Sequence, residues 1–147
     1  MLKILVFLHG TTITEEDEVD LPILNAARKV QAWKAQGAEI VYLTHRRGLE
    51  DVKNEEAMLA KHGFPAGPVP FRGTGEQYND VAERIIPDII VEDDCASIGG
   101  EKEMTYPRIR PSLKIRIKSI VVREGLGIDH LPDEIVKLEN HSVTRQP

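Results

Sequence analysis

Ile4 to Leu8 is an unbroken apolar run, and a run without polar alternation predicts a strand covered on both faces. Polar residues take over at His9, and the acidic run Glu15 to Glu18 reads as a solvated loop. Pro22 opens a helical pattern in which Ile23, Ala27, Val30 and Trp33 recur at steps of three and four, with Gly37 where a C-terminal cap belongs. Ile40 to Leu43 predicts a second buried strand, which runs into Thr44-His45-Arg46-Arg47. Leu49, Val52 and Leu59 mark the next helix, with Glu56 interrupting its face and His62-Gly63-Phe64 closing it. Pro65, Pro68 and Pro70 leave room only for a short strand over Val69 to Phe71. Tyr78, Val81, Ala82 and Ile85 mark a third helix, ended by Pro87. Ile89 to Val91 predicts a fourth strand, leading into Glu92-Asp93-Asp94. Residues 95–110 have no period and predict a long loop, usually a functional or mobile feature. Pro111-Ser112 predicts a short helix, Ile120 to Val122 a fifth strand, and Asp133 to Leu138 a helical turn before a fraying tail.

Strands alternating with helices imply parallel strands joined by right-handed crossovers. The expected fold is α/β: a three-layer α/β/α sandwich with a mainly parallel, Rossmann-like sheet. Ile4–Leu8, Ile40–Leu43 and Ile89–Val91 are its expected central strands. Residues 1–147 read as one domain, with a core of about 1–130 and a tail over 131–147. In such sheets ligands bind beyond the carboxyl ends of the strands, where strand order reverses.

Composition narrows the partners. The 147 residues hold 19 Lys plus Arg against 24 Asp plus Glu, a net charge of −5, with three Phe, three Tyr and one Trp. A chain lacking both a cationic footprint and stacking surface is a poor nucleic-acid binder. Cys95 is the only cysteine, so no intramolecular disulfide forms, and a reducing, cytoplasmic location is expected. No apolar run reaches bilayer length, and the segment from Met1 to Leu8 reads as a strand rather than a leader.

The residues that follow the strands supply the candidate chemistry. His9-Gly10-Thr11-Thr12, Thr44 to Arg47, Arg72, Glu92-Asp93-Asp94, and then Glu124 with Asp129 and His130 would share one rim. Hydroxyls, cations and paired carboxylates suit a phosphate with a divalent cation. Gly10, Thr11 and Thr12 can offer N–H and hydroxyl groups to phosphate oxygens, and Asp93 with Asp94 can hold Mg²⁺. Blander readings stand beside these: a polar exit from the strand for His9, a local turn cap for Thr44, a helix N-cap for the two aspartates. A transition-metal site using His9 with Asp93 or Asp94 is a further alternative. The acids beside Cys95 raise a thiol pKa, which argues against a nucleophilic cysteine. His45, His62, His130 and His141 carry little signal individually.

From residue 3 to about residue 130 the layout resembles the haloacid dehalogenase-like (HAD) superfamily, mostly Mg²⁺-dependent phosphatases acting through an aspartyl-phosphate. An apolar strand leads into Gly10-Thr11, as in the family's D-x-D-G-T motif. A second strand ends in Thr44, at the family's phosphate-binding Ser/Thr, and Arg46 beside it is expected to bind the phosphate too. Thr44-His45-Arg46 and His62-Gly63-Phe64-Pro65 resemble the small nucleotidase and acid-phosphatase branch, and Pro87 to Asp94 resembles the acidic metal motif. The resemblance implies a hydrolase of phosphorylated small molecules, without a large cap domain. Yet in this register Phe7 takes the nucleophile's place and His9 that of the acid/base, so both motif aspartates are missing. A second register makes His9 the nucleophile, with Thr11 in the second position. The family's later Lys is also absent; Gln77 and Asn79 lie there, and Arg72 is the nearest cation. The expectation is therefore a phosphatase-like protein with altered chemistry at His9, or a catalytically inactive relative that binds a ligand or partner.

Overall fold

The computed structural model describes residues 1–141. At its centre lies β1 (Lys3–Phe7), in which Ile4, Leu5 and Val6 are fully buried. Successive side chains of a strand point to opposite faces. Ile4 and Val6 accordingly join one apolar cluster with Val30, Trp33 and Leu59, while Leu5 and Phe7 join another with Val81, Ile109 and Leu113.

β1 is followed by a hairpin, β2 (Ile13–Glu16) with β3 (Val19–Pro22). Here the acidic run is no loop: only Asp17 and Glu18 turn the chain, both at positive φ, as two-residue hairpins require. Pro22 therefore ends a strand rather than opening a helix, and α1 spans Ala26–Ala35. Then come β4 (Glu39–Leu43), α2 (Leu49–Lys61), α3 (Tyr78–Ile85) and β5 (Ile89–Asp93), and after these α4 (Pro111–Lys114), β6 (Lys118–Val122) and α5 (Ile135–Glu139). In α2, Leu49 is exposed and Glu55, rather than Glu56, shares the buried face with Val52 and Leu59.

The main sheet has the order β4-β1-β5-β6, and all three pairings are parallel. The chain leaves β1 for β4 on one side and returns across it to β5 on the other. Strand order thus reverses beside the carboxyl end of β1, where ligand clefts form in such sheets. Ile40–Leu43, expected at the centre, lies at the sheet's edge. The proline-rich segment shields it: Tyr42 N–H donates to Pro68 O at 3.0 Å, and Phe64 and Val69 pack into the same cluster. Val69–Phe71 forms no strand, because Pro68 and Pro70 lack the N–H groups a ladder needs.

Residues 95–110 contain two short 3-10 turns, Gly100–Glu103 and Tyr106–Arg108. Glu92 fastens this loop from below. Its buried carboxylate accepts the N–H groups of Thr105 (2.8 Å) and Tyr106 (3.0 Å). The segment after residue 130 is held by α1. Trp33 Nε1–H donates to Pro132 O (2.9 Å), Lys29 Nζ to Leu131 O (2.6 Å), and Leu138 is fully buried. The tail expected to fray beyond 141 lies outside the described residues. No helix among them is long and apolar enough to cross a membrane.

Burial pushes the Glu92 carboxyl up to about 7, against an ordinary 4.5, although the Tyr106 and Thr105 N–H groups oppose the shift. Below pH 4.5 the group is protonated in both folded and unfolded chains. Between 4.5 and 7 the unfolded chain releases this proton while the native state keeps it, so stability falls as pH rises. We expect Glu92→Gln to remove up to about 3 kcal/mol of pH-dependent destabilisation between these limits. Urea unfolding of both proteins across the range measures this, and parallel pH profiles would refute it.

Candidate functional site

Beyond the carboxyl ends of β1, β4 and β5 lies a cleft of about 510 Å³, a size that suits a small metabolite. Its walls include Phe7, His9, Gly10, His45, Arg72, Asp93 and Glu124, and the β2–β3 hairpin overhangs it through Ile13, Thr14 and Glu15.

The turn after β1 is already saturated. The N–H groups of Thr11, Thr12 and Ile13 all donate to Leu8 O, and Gly10 N–H donates to Ile13 O. Thr12 Oγ1–H donates to Phe7 O at 3.0 Å, and its side chain is fully buried. Thr11 Oγ1–H donates to Asp93 Oδ1 (2.7 Å), and Thr11 Oγ1 in turn accepts Asp93 N–H (3.0 Å). The residues expected to cradle phosphate thus spend their polar groups on the turn and on β5. Gly10, at φ +91°, passes directly over Asp93.

The acids form one side of the cleft. Asp93 Oδ2 also accepts Cys95 N–H at 3.1 Å. Burial raises the Asp93 pKa, while its bonds from Thr11 and Cys95 lower it. Asp94 lies beside the cleft rather than on its wall, and its Oδ1 accepts the N–H groups of Ala96 and Glu124 (both 3.2 Å). One carboxylate oxygen each from Asp93, Asp94 and Glu124 lie within 4.8 Å of one another. Burial, and then Asp93 and its acidic neighbours, push the Cys95 thiol up to about 12, so it stays protonated and is no nucleophile at neutral pH.

The histidines form the other side. His9 Nε2–H donates to Asp20 Oδ1 on the hairpin (2.9 Å), while its Nδ1 is buried and faces Glu55 Oε1 at 3.6 Å. The His45 ring stands edge-on to His9, with centroids 4.4 Å apart. Burial, then the charges of His9, Arg46 and Arg72, pull the His45 pKa down to about 4, leaving it neutral at physiological pH. Thr44 is fully buried; its hydroxyl donates to Glu55 Oε2 and accepts Arg46 N–H. Arg46 Nε lies 3.8 Å from Glu55 Oε1. Burial raises the Glu55 pKa, opposed by Thr44, His9 and Arg46.

The floor is aromatic. Phe7 meets Tyr78 edge-on, with centroids 5.0 Å apart, and the Arg72 guanidinium lies 4.1 Å above the Tyr78 ring. Arg72 donates through one terminal nitrogen to His45 O (2.7 Å), but its buried Nε has no acceptor among the described residues.

His9 and Asp93 therefore share one cleft, with Thr11 behind Asp93 and Thr44 behind His9. His9 turns towards Asp20, His45 and Glu55 rather than towards Asp93 or Asp94. Glu55 was readable in principle, since Val52, Glu55 and Leu59 are spaced as one helix face. Asp20 left no such signal, because only the hairpin carries it back to the strand end. No protein-family model, curated protein or solved structure matches the chain.

An ideal Cβ on Gly10 would fall 2.8 Å from Asp93 Oδ1, whereas one on Gly37, at φ +99°, would meet nothing within 4 Å. Both alanine variants incur the left-handed backbone penalty of about 1–2 kcal/mol. Gly10→Ala should lose about 1–3 kcal/mol more than Gly37→Ala by chemical denaturation, the usual cost of overpacking. Equal losses would show that the turn does not press on Asp93.

Proposed function

We propose that this chain is a HAD-like domain, a three-layer α/β/α sandwich without a large cap, that binds a small phosphorylated molecule with Mg²⁺ and does not turn it over. Apolar clusters on both sides of the sheet support the layered reading. The β2–β3 hairpin stands between β1 and α1, and its eight strand residues are too few for a capping domain.

One observation carries the binding reading: Arg72 lines the cleft beside Phe7, and its buried Nε–H has no acceptor among the described residues. A buried donor without an acceptor costs about 1–3 kcal/mol, and an anionic oxygen on the ligand recovers that. Phosphate supplies such oxygens and matches a guanidinium well. Opposite, Asp93, Asp94 and Glu124 form an oxygen-only donor set of the kind Mg²⁺ accepts. When bound, the ion would offset their mutual repulsion and supply positive charge for the phosphate.

Catalysis is another matter. An aspartyl-phosphate route needs a carboxylate in line with phosphorus, and Phe7 offers only a ring. His9 cannot substitute directly, since Asp20 engages Nε2 and Nδ1 is buried. The inactive-relative reading is therefore preferred to the phosphatase-like one.

Thermal shift measurements test this with ribose 5-phosphate, AMP and inorganic phosphate, each with and without Mg²⁺, beside ribose and adenosine. Phosphorylated compounds should raise Tm and their parents should not. At a hundredfold excess over Kd the gain is about 2.7 kcal/mol. Arg72→Gln should abolish the shift, and p-nitrophenyl phosphate should not be hydrolysed. A shift that survives Arg72→Gln would overturn the binding mode, and robust turnover would overturn the non-catalytic reading.

A further inference from the structure

We infer that His9, His45 and Glu55 form a binding site for a transition-metal ion of the Zn²⁺ class, separate from the carboxylate side of the cleft. This inference stands independently of the phosphate reading. A ring nitrogen from each histidine and an oxygen of Glu55 lie within 4.8 Å of one another. A tetrahedral ion with bonds of about 2.0–2.1 Å holds its ligands roughly 3.3 Å apart. The His9 Nδ1 to Glu55 Oε1 pair, at 3.6 Å, is already near that spacing.

The polar accounting points the same way. Buried side-chain polar atoms rarely lack partners, and an unseen ion is one reason they do. Among the described residues five such atoms lack one, and three of the five are His9 Nδ1, His45 Nδ1 and Glu55 Oε1. Glu55 is only 3% exposed, so bulk solvent does not reach it.

The surrounding bonds orient these atoms. Asp20 accepts His9 Nε2–H, which leaves the lone pair on Nδ1, the carboxylate–histidine arrangement typical of metal ligands. Thr44 occupies Glu55 Oε2 and leaves Oε1 facing the ring. Two acceptors then confront each other at a distance too long for a hydrogen bond. A cation between them resolves that conflict.

Two imidazoles with one carboxylate suit Zn²⁺, Co²⁺ or Fe²⁺ rather than Mg²⁺. Because His9 and His45 both line the cleft, the remaining coordination position would open into it. The rival for Glu55 is Arg46, 3.8 Å away, too far for a hydrogen bond and with a side chain 36% exposed.

The full chain, stripped by a chelator and dialysed, should be titrated with Co²⁺ and then Zn²⁺ at neutral pH. One equivalent of Co²⁺ should bind with the visible band of a tetrahedral ion, and Zn²⁺ should displace it. His45→Gln and Glu55→Gln should each weaken binding at least tenfold, and Asp20→Asn by about 10- to 100-fold. Asp93→Asn should leave the visible band of the tetrahedral Co²⁺ ion in place, because that band reports the two imidazoles and Glu55 and not the carboxylate side. If Glu55→Gln fails to fold, His45→Gln and Asp20→Asn carry the same comparison. Absence of stoichiometric binding would overturn the inference, as would affinity unaltered by His45→Gln, or a Co²⁺ band lost on Asp93→Asn. A His9 ring protonated on both nitrogens by NMR in the presence of Zn²⁺ would also overturn it.

Discussion

β1 is paired on both edges and covered on both faces. Its registers with β4 and β5 pair its backbone on both sides, and its side chains divide between two apolar clusters. A strand so enclosed can meet solvent only at its ends. Because the neighbouring strands are parallel to it, their carboxyl ends emerge together, and the polar residues that follow are gathered on one rim. The cleft exists because the sheet is parallel and β1 lies inside it.

The polar groups of that rim are mostly bound to one another. The two-way bond between Thr11 and Asp93 ties the turn after β1 to the end of β5, and Gly125 N–H closes onto Gly10 O at 2.9 Å from the β6 side. Thr44 performs a similar role on the other side, joining the end of β4 to Glu55 on α2. These hydroxyls organise the cleft rather than face into it. What remains around the cleft without a partner among the described residues is therefore informative: a guanidinium N–H at Arg72, a ring nitrogen each on His9 and His45, and an oxygen of Glu55. The first asks for an anion and the others for a cation.

Burying carboxylates has a cost, and here it is concentrated around the cleft. Burial raises the pKa of Glu55, Glu92 and Asp93, and the compensating bonds differ in each case. Glu92 receives two loop N–H groups and holds residues 95–110 against the sheet. Asp93 receives a hydroxyl and an N–H. Glu55 has one oxygen bonded and one facing histidine. A group left partly unsatisfied in a dry place is where sites form, because a ligand gains there what the protein alone does not.

Local pattern alone determined much of this protein. Unbroken apolar runs marked β1, β4 and β5, period and capping glycine marked α1 and α2, and the polar residues after each run marked the rim. The pattern misled where local rules are silent. Glu15 to Glu18 read as solvent-facing loop, because four consecutive acids show no apolar alternation and Val19-Asp20-Leu21 is too short a signal to reveal the hairpin. Ile40 to Leu43 read as central, because a proline-rich segment can bury an edge strand without pairing with it as a strand. The partners of His9 were decided by tertiary structure alone. Asp20, His45 and Glu55 arrive from the hairpin, the end of β4 and the middle of α2, and their meeting depends on crossovers that no short-range spacing encodes. Residue types at strand ends follow from sequence because burial is local; which of them touch follows only from how the strands are ordered.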